Sequence, residues 1–419
     1  MSTGSRHAAI IGGGVIGTAC AYDLAKQGWR VTIIEQGTHG CGSSWGNCGL
    51  VCPSHVLPLA EPGMVAQGLR SLFARNSPFA IKFRMDPALW SWLIHFAMRC
   101  NRRDMVEAAR GIQPLLESSL ELYQELIERE RLDCEWEQKG LLFAYRSQAA
   151  LDEFAATDRL LAETFHCPAR RFDGESVREL EPALKPGLAG GWYYHDDAHL
   201  RPDRLLQSWR GVLEGLGVTI REHAGFRGFH GEGGRALAAA IEGEREPLAA
   251  DAFVVATGAW TPVLNDQLGC KVPIQPGKGY SMTMPRPRVC PTIPLIFPET
   301  RVAVTPFHSG YRLGSTMEFA GYDMTKNPAR LQLLRDGAEP YLVEPFCEPV
   351  EETWYGWRPM TWDSLPVIDR SPALANVVIA AGHNMLGLSM APATGRLVAE
   401  MLSEQTPFLD VRPYRVCRF

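Results

Sequence analysis

The chain has 419 residues, 46% of them hydrophobic, and a formal net charge of −5. That suits two or three globular domains and leaves no basic block for nucleic acid. The eleven cysteines form no Cys-x-x-Cys pair, no apolar run is long enough to span a bilayer, and no targeting segment fits before the first strand, so the expected compartment is a reducing cytoplasm.

Residues 5–36 read as strand, turn, helix and strand. Ala9-Ile10-Ile11 leads into Gly12-Gly13-Gly14-Val15-Ile16-Gly17, and Arg30-Val31-Thr32-Ile33-Ile34 ends on Glu35. Such a unit holds a dinucleotide. Gly12 permits a tight turn, Gly14 admits a pyrophosphate to the backbone, and Gly17 lets helix and strand pack closely. The helix N-terminus, with Val15 and Ile16, offers N–H groups to phosphates. Glu35, with Gln36 beside it, is placed to accept from ribose hydroxyls. An acid there disfavours a 2′-phosphate, so NADP is set aside while NAD and FAD stay open.

Residues 37–55 form a small polar loop that includes Gly42-Ser43-Ser44-Trp45-Gly46-Asn47-Cys48-Gly49-Leu50. Cys41, Cys48 and Cys52 read as small fillers rather than a metal site. The stretch from Leu57 to Arg84 is mixed and broken by Pro58, Pro62 and Pro78. An amphipathic helix is predicted from Pro87 to Asn101. It reads either as a core helix or, with Arg99, Arg102 and Arg103 behind it, as one that rests on a membrane. Further helices are predicted over 104–131, 148–165 and 202–216, and strands at Gly140–Tyr145, Gly191–Tyr194 and Val218–Arg221. Asp251 to Trp260 is a buried strand ending in a small-residue turn around Gly258. Residues 278–317 alternate as antiparallel strands do, and they include Lys278-Gly279-Tyr280-Ser281. Gly356-Trp357-Arg358-Pro359 follows. A last core strand, Val377 to Gly382, leads through a glycine turn to a helix over about 391–402.

The fold class expected is α/β. A Rossmann-type nucleotide-binding domain (1–85, 196–265 and 355–419) is interleaved with an α+β substrate domain built on an antiparallel sheet (86–195 and 266–354).

In order and spacing these motifs resemble the flavin amine oxidoreductases of the D-amino acid oxidase superfamily. Among these, bacterial D-amino acid dehydrogenases look most alike, with glycine and sarcosine oxidases as cousins. The resemblance covers nearly the whole chain and is weakest over 100–190. It implies bound FAD, with Gly12, Gly14, Gly17 and Glu35 at the ADP moiety and Ser43, Ser44, Asn47, Gly49 and Leu50 at pyrophosphate and flavin. It places Phe226 against adenine through its backbone, and Gly258 and Trp260 on the adenine and ribose side. Gly382, His383, Asn384, Leu386, Gly387, Leu388 and Ser389 fall at the flavin ring.

The resemblance also implies that Arg358 holds a substrate carboxylate, for which a planar guanidinium is matched by two parallel hydrogen bonds. Tyr280 is read as closing the site with its hydroxyl or as a core tyrosine. His383 is read as a group near the flavin or amine, or as a packed histidine. Gly46 stands where relatives with covalent FAD carry histidine, so FAD is expected to be non-covalent. Arg312 stands where sarcosine oxidases carry a lysine that speeds reaction with oxygen, so a quinone or other carrier is the expected acceptor. The implied reaction is oxidative deamination of a D-amino acid to a 2-oxo acid and ammonia by hydride transfer to flavin. A cyclic or N-methyl amino acid (D-proline, hydroxyproline, sarcosine), a flavin subunit of a larger complex, and an NAD-dependent dehydrogenase are the alternatives. No metal is expected, and the location is cytoplasmic or peripheral on the inner face of the cytoplasmic membrane.

Overall fold

Apolar strands alternating with small-residue helices build a six-stranded sheet in the computed structural model, which describes residues 5–73, 79–82 and 84–419. The polar lead-in of residues 1–4 and Pro78 lie outside the described residues. Strands His7–Ile11, Arg30–Ile34, Thr219–Arg221, Ala252–Val255 and Val377–Ala381 run parallel, and Val367–Arg370 is antiparallel at one edge. Ile10 pairs with Ile33 on one side and Val254 on the other. The central strands His7–Ile11, Ala252–Val255 and Val377–Ala381 are buried on both faces because both faces are covered. Ala8, Ile10, Val31 and Ile33 meet helices. Ala9, Ile11, Phe253 and Val255 meet a three-stranded antiparallel sheet, Phe226–Glu232, Arg235–Ile241 and Leu248–Ala249. That small sheet is absent from the sequence reading, since its strands are half exposed and alternate only weakly.

The helical layer joins Val15–Lys26, Arg102–Glu130 and Gly387–Leu402. The last of these starts one turn earlier than the sequence indicates, with Pro392 inside it. Proline has no N–H for the carbonyl of Leu388, and the hydroxyl of Tyr123 donates there instead at 2.9 Å. Ser119 Oγ accepts from the next amide, Ala393, at 3.1 Å. The two helices are thus matched group for group.

A second sheet has nine strands. Glu352–Thr361, Ile274–Met284, Gly310–Phe319, Val302–Phe307 and Leu295–Phe297 run antiparallel in that order. Leu141–Tyr145 then pairs parallel with Leu295–Phe297, and Gly190–Tyr194 and Arg170–Asp173 complete that flank. Phe79–Ile81 pairs parallel with Gly310–Phe319. The sheet is therefore mixed rather than wholly antiparallel. Two packings cross the domain division read from the sequence. Glu352–Thr361, which carries Arg358, belongs to the second sheet, and Arg102–Glu130 packs in the helical layer of the first. Helices Met64–Phe73 and Pro328–Ala338 were also not predicted.

Candidate functional site

One cavity of about 2160 Å³ runs from the C-terminal ends of the parallel strands to the face of the second sheet. Its wall holds Gly12, Gly14, Val15, Ile16, Glu35, Gln36, Ser43, Ser44, Asn47, Leu50, Phe226, Gly258 and Trp260. It also holds Tyr280, Arg358, His383, Asn384, Leu386, Gly387, Leu388 and Ser389. Three of the glycines singled out from the sequence stand behind the wall. A side chain on Gly17 would collide with the carbonyl of Gly12, one on Gly49 with the carbonyl of Leu200, and one on Gly382 with Thr361. They act by letting backbone segments approach.

At the nucleotide end, Gly12 has φ +105° and packs on the carbonyl of Ala256, a conformation that favours glycine. The two carboxylate oxygens of Glu35 accept from the amides of Gly13 at 2.7 Å and Gly37 at 2.8 Å. The hydroxyl of Ser44 accepts from Val15 N–H at 2.9 Å, at the first turn of the helix. Asn47 donates to the carbonyl of Ser44 and accepts from Gly49 N–H, and Ser43 donates to the carbonyl of Trp357 at 2.6 Å. Ser389 donates to the carbonyl of Leu50 at 2.9 Å. The loop is therefore stitched to the helix start, to the second sheet and to the last helix. These glycines, helix-start amides and hydroxyls make a cradle that fits a dinucleotide pyrophosphate. The helix Gly387–Leu402 directs a second positive helix end toward the same space.

At the other end, Asn384 joins the two sheets. Its N–H donates to Pro359 O at 3.2 Å, and its Oδ1 accepts from Thr361 N–H at 2.9 Å. Arg358 shares the cavity wall with Pro359 and Asn384. Its guanidinium lies across Gly279, where a Cβ would fall 2.5 Å from Cζ. Nη1 donates to the carbonyl of Thr316 at 2.8 Å. Among the described residues no acidic side chain pairs with it, and desolvation pushes its pKa down. The side chain is a desolvated cation without a protein anion.

Tyr280 is buried, and its hydroxyl donates to Glu318 Oε2 at 2.8 Å. Burial and that carboxylate push its pKa up, so it stays protonated. The hydroxyl, read from the sequence either as closing the site or as that of a core tyrosine, is engaged with Glu318 while the residue lines the cavity. His383 is buried, with Nε2 3.0 Å from Thr394 Oγ1, and desolvation pushes its pKa down to about 3. It is a neutral imidazole that packs the turn while also forming wall. Lys278 is not on the cavity wall; it donates to the carbonyls of Asp323 and Thr325.

Arg312 does not lie on the wall. It is fully buried behind the loop, donating to Thr283 Oγ1 at 2.9 Å and to Asn47 O at 2.8 Å. It clamps the loop from below, so its identity carries no argument about oxygen. Gly46 does lie on the wall, with Trp354 against it so closely that any side chain would collide with the indole. Trp354 and Thr316 carried no sequence signal, because strand register alone brings them here. The mouth of the cavity is built from Met64–Phe73 and Pro87–Arg99, through Val65, Leu69, Trp90 and Ile94.

The family model described as FAD dependent oxidoreductase (DAO) matches residues 7–401. A D-amino acid dehydrogenase of Methylobacterium radiotolerans is 31% identical over 412 residues, covering 96% of each chain. The fold is similar to that of glycine oxidase from Geobacillus kaustophilus, with a TM-score of 0.78 at 22% identity over 99% of this chain and 100% of the other. It is also similar to L-proline dehydrogenase from P. horikoshii, with a TM-score of 0.73 at 22% identity, covering 99% and 98%.

Proposed function

We propose, for a chain that belongs to the DAO family of FAD-dependent oxidoreductases, that the reaction is oxidative deamination of a D-amino acid. The products are a 2-oxo acid and ammonia. The observation that carries this reading is Arg358, a guanidinium on the cavity wall with no acidic partner among the described residues. A substrate carboxylate matches its fork with two parallel hydrogen bonds and relieves an unpaired charge. The name of the relative from Methylobacterium radiotolerans supports the D-configured substrate.

FAD, when bound, supplies the acceptor for the hydride lost from the substrate Cα. The residues that would hold it are those of the cradle: Gly12, Gly14, Val15, Glu35, Ser43, Ser44 and Asn47. Phe226, Gly258 and Trp260 line the nucleotide side, and the turn from His383 to Ser389 lines the other. The packing of Trp354 on Gly46 supports non-covalent binding. Arg358 fixes the carboxylate and so orients the Cα–H bond. The substrate amine enters neutral, so that its lone pair assists loss of hydride. His383 stays neutral and adds no charge beside it. Apolar wall residues such as Phe143, Met317 and Leu388 exclude water until the imino acid leaves to be hydrolysed.

The acceptor we propose is a quinone reached at a membrane surface. Leu69, Trp90, Ile94 and Met98 are exposed on the two helices at the cavity mouth. Arg99 follows them, 3.6 Å from Asp104, and Arg102, Arg103 and Arg110 line one surface hollow together with Glu107. An apolar rim next to clustered arginines is the pattern of a helix resting on an anionic lipid surface. Among the described residues no helix is long and apolar enough to cross a membrane. The test is anaerobic bleaching of the flavin against a panel of D-, L-, cyclic and N-methyl amino acids. Bleaching by primary D-amino acids supports the proposal. Bleaching by proline or sarcosine alone replaces the substrate class, and no bleaching by any of them removes the reading.

A further inference from the structure

We infer that Thr316 supplies a second hydrogen-bond donor to the carboxylate that Arg358 receives, so that the seat is a guanidinium plus a hydroxyl. This rests on the carboxylate reading of Arg358.

Strand Gly310–Phe319 does not run straight past the arginine. Its pairing with Ile274–Met284 slips between Lys278 and Tyr280, which face Glu318 and Ser315. At the slip Ser315 has φ +119° and Thr316 has φ +53°. Neither is glycine, and threonine is β-branched, so both stand in a region their side chains disfavour. The backbone of Thr316 is held there in part by its carbonyl, which accepts from Arg358 Nη1 at 2.8 Å.

The same turn places Thr316 on the cavity wall, 4% exposed, with its hydroxyl buried and without a hydrogen-bond partner among the described residues. A hydroxyl left so costs free energy that a bound acceptor recovers. Tyr280 and His383 on the same wall are already engaged, with Glu318 and Thr394. Trp357 Nε1 is a second donor on the wall without a partner among the described residues, and its indole packs among Trp260, Tyr322 and Tyr355.

The ligand chemistry follows from the neighbours. A guanidinium calls for an anion, and a bidentate contact takes one site on each carboxylate oxygen. Each oxygen keeps a further lone pair, which a neutral O–H can fill without adding charge. Thr316 thus acts twice, fixing the guanidinium through its carbonyl and reading the carboxylate through its hydroxyl. It is a specificity-determining residue for α-carboxylates.

The experiment uses the FAD-loaded enzyme and isobutyrate, a carboxylate with no amine to oxidise, with binding read from the visible absorption of the flavin. Thr316→Val is expected to weaken isobutyrate about tenfold and to raise KM for the amino acid more than it lowers kcat. Thr316→Ser, which keeps the hydroxyl, is expected to bind as the parent does. Isobutyramide, the uncharged analogue, should be affected much less by Thr316→Val. Unchanged isobutyrate binding in Thr316→Val overturns the inference, and so does equal weakening of isobutyrate and isobutyramide. Arg358→Met runs in parallel. If it too binds isobutyrate normally, or if the parent enzyme binds none, the carboxylate reading itself fails, which is a separate result.

Discussion

The guanidinium of Arg358 occupies the space that a side chain on Gly279 would need. A Cβ built on Gly279 falls 2.5 Å from Cζ of Arg358. The two residues face each other diagonally across adjacent strands, with Gly277 opposite Arg358 and Gly356 opposite Gly279. The floor of the proposed carboxylate seat is therefore a missing side chain.

Gly279→Ala should displace the guanidinium while leaving the nucleotide cradle intact. We expect kcat/KM for the amino acid to fall roughly 10- to 100-fold, the range for lost hydrogen bonds to a charged group, with flavin content near that of the parent. Arg358→Ala should lose more turnover still, again without matching loss of flavin. Steady-state kinetics beside the flavin-to-protein absorbance ratio checks both, and near-normal activity in Arg358→Ala would sink the assignment.

Trp354 leaves no room for a side chain at Gly46. Acid precipitation of the purified protein should therefore release its flavin to the supernatant and leave a colourless pellet. Gly46→His should lower flavin content rather than create a covalent link, because the imidazole must first evict an indole. A yellow pellet from the parent protein would contradict non-covalent binding.

How much of this was legible depends on the range of the interactions. The glycine turn, Glu35 and the loop around Ser44 are local, and their chemistry can be read from residue spacing. Arg358 could be singled out because Gly-x-Arg-Pro carries a resemblance. Its partners could not. Gly279, Thr316 and Trp354 come to it through strand register, and a one-residue slip in pairing decides which side chain faces the cavity. Arg312 shows the same limit from the other side, since its strand was foreseen but its burial behind the loop was not. The early start of the last helix was hidden because Pro392 reads as a breaker, and the hydroxyl that compensates for it lies on Tyr123, far away in the chain.

That compensation is itself testable. Tyr123→Phe keeps the buried ring and removes the donor to Leu388 O, leaving a carbonyl unpaired at the start of the last helix. The expected cost is about 1–3 kcal/mol, read as a lower urea midpoint with an unchanged m-value. Because Leu388 lines the cavity, flavin affinity should fall with stability. Stability equal to the parent would mean that another donor takes the place of the hydroxyl.

His55 gives the stability curve an acid limb. It lines the cavity against the ring of Phe143, and desolvation pushes its pKa from 6.5 down to about 4. The unfolded chain takes up the proton first, so this contribution is fully present above pH 6.5 and is lost as pH falls toward 4. At pH 5 the effect is roughly 2 kcal/mol. Asp197, buried with its carboxyl pushed up to about 7, has the opposite sign, so the parent must be compared with a variant rather than read alone. His55→Gln should lose less thermal stability than the parent between pH 7 and pH 5. Parallel curves would show that His55 does not titrate on unfolding.

The membrane proposal makes a sharper demand than exposed apolar residues alone, since single exposed side chains are ordinary on soluble proteins. Here Leu69, Ile94 and Met98 are exposed on the same two helices that frame the cavity mouth, and a cluster of arginines adjoins them although the chain as a whole carries −5. Binding should therefore require both anionic lipid and the apolar rim. The parent is expected to sediment with vesicles containing phosphatidylglycerol, less so as salt rises, and poorly with phosphatidylcholine alone. The double variant Ile94→Glu with Met98→Glu should weaken vesicle binding at least about tenfold, from lost apolar burial and added repulsion. Both sites are exposed, so its fold should be unchanged, and because Ile94 also lines the cavity its quinone turnover is read relative to its anaerobic reduction by substrate. Turnover with a membrane-dissolved quinone should fall while turnover with a water-soluble dye is kept. If the dye and quinone rates fall together, the mouth is not a lipid contact. If the parent ignores anionic vesicles, the quinone must be reached in another way.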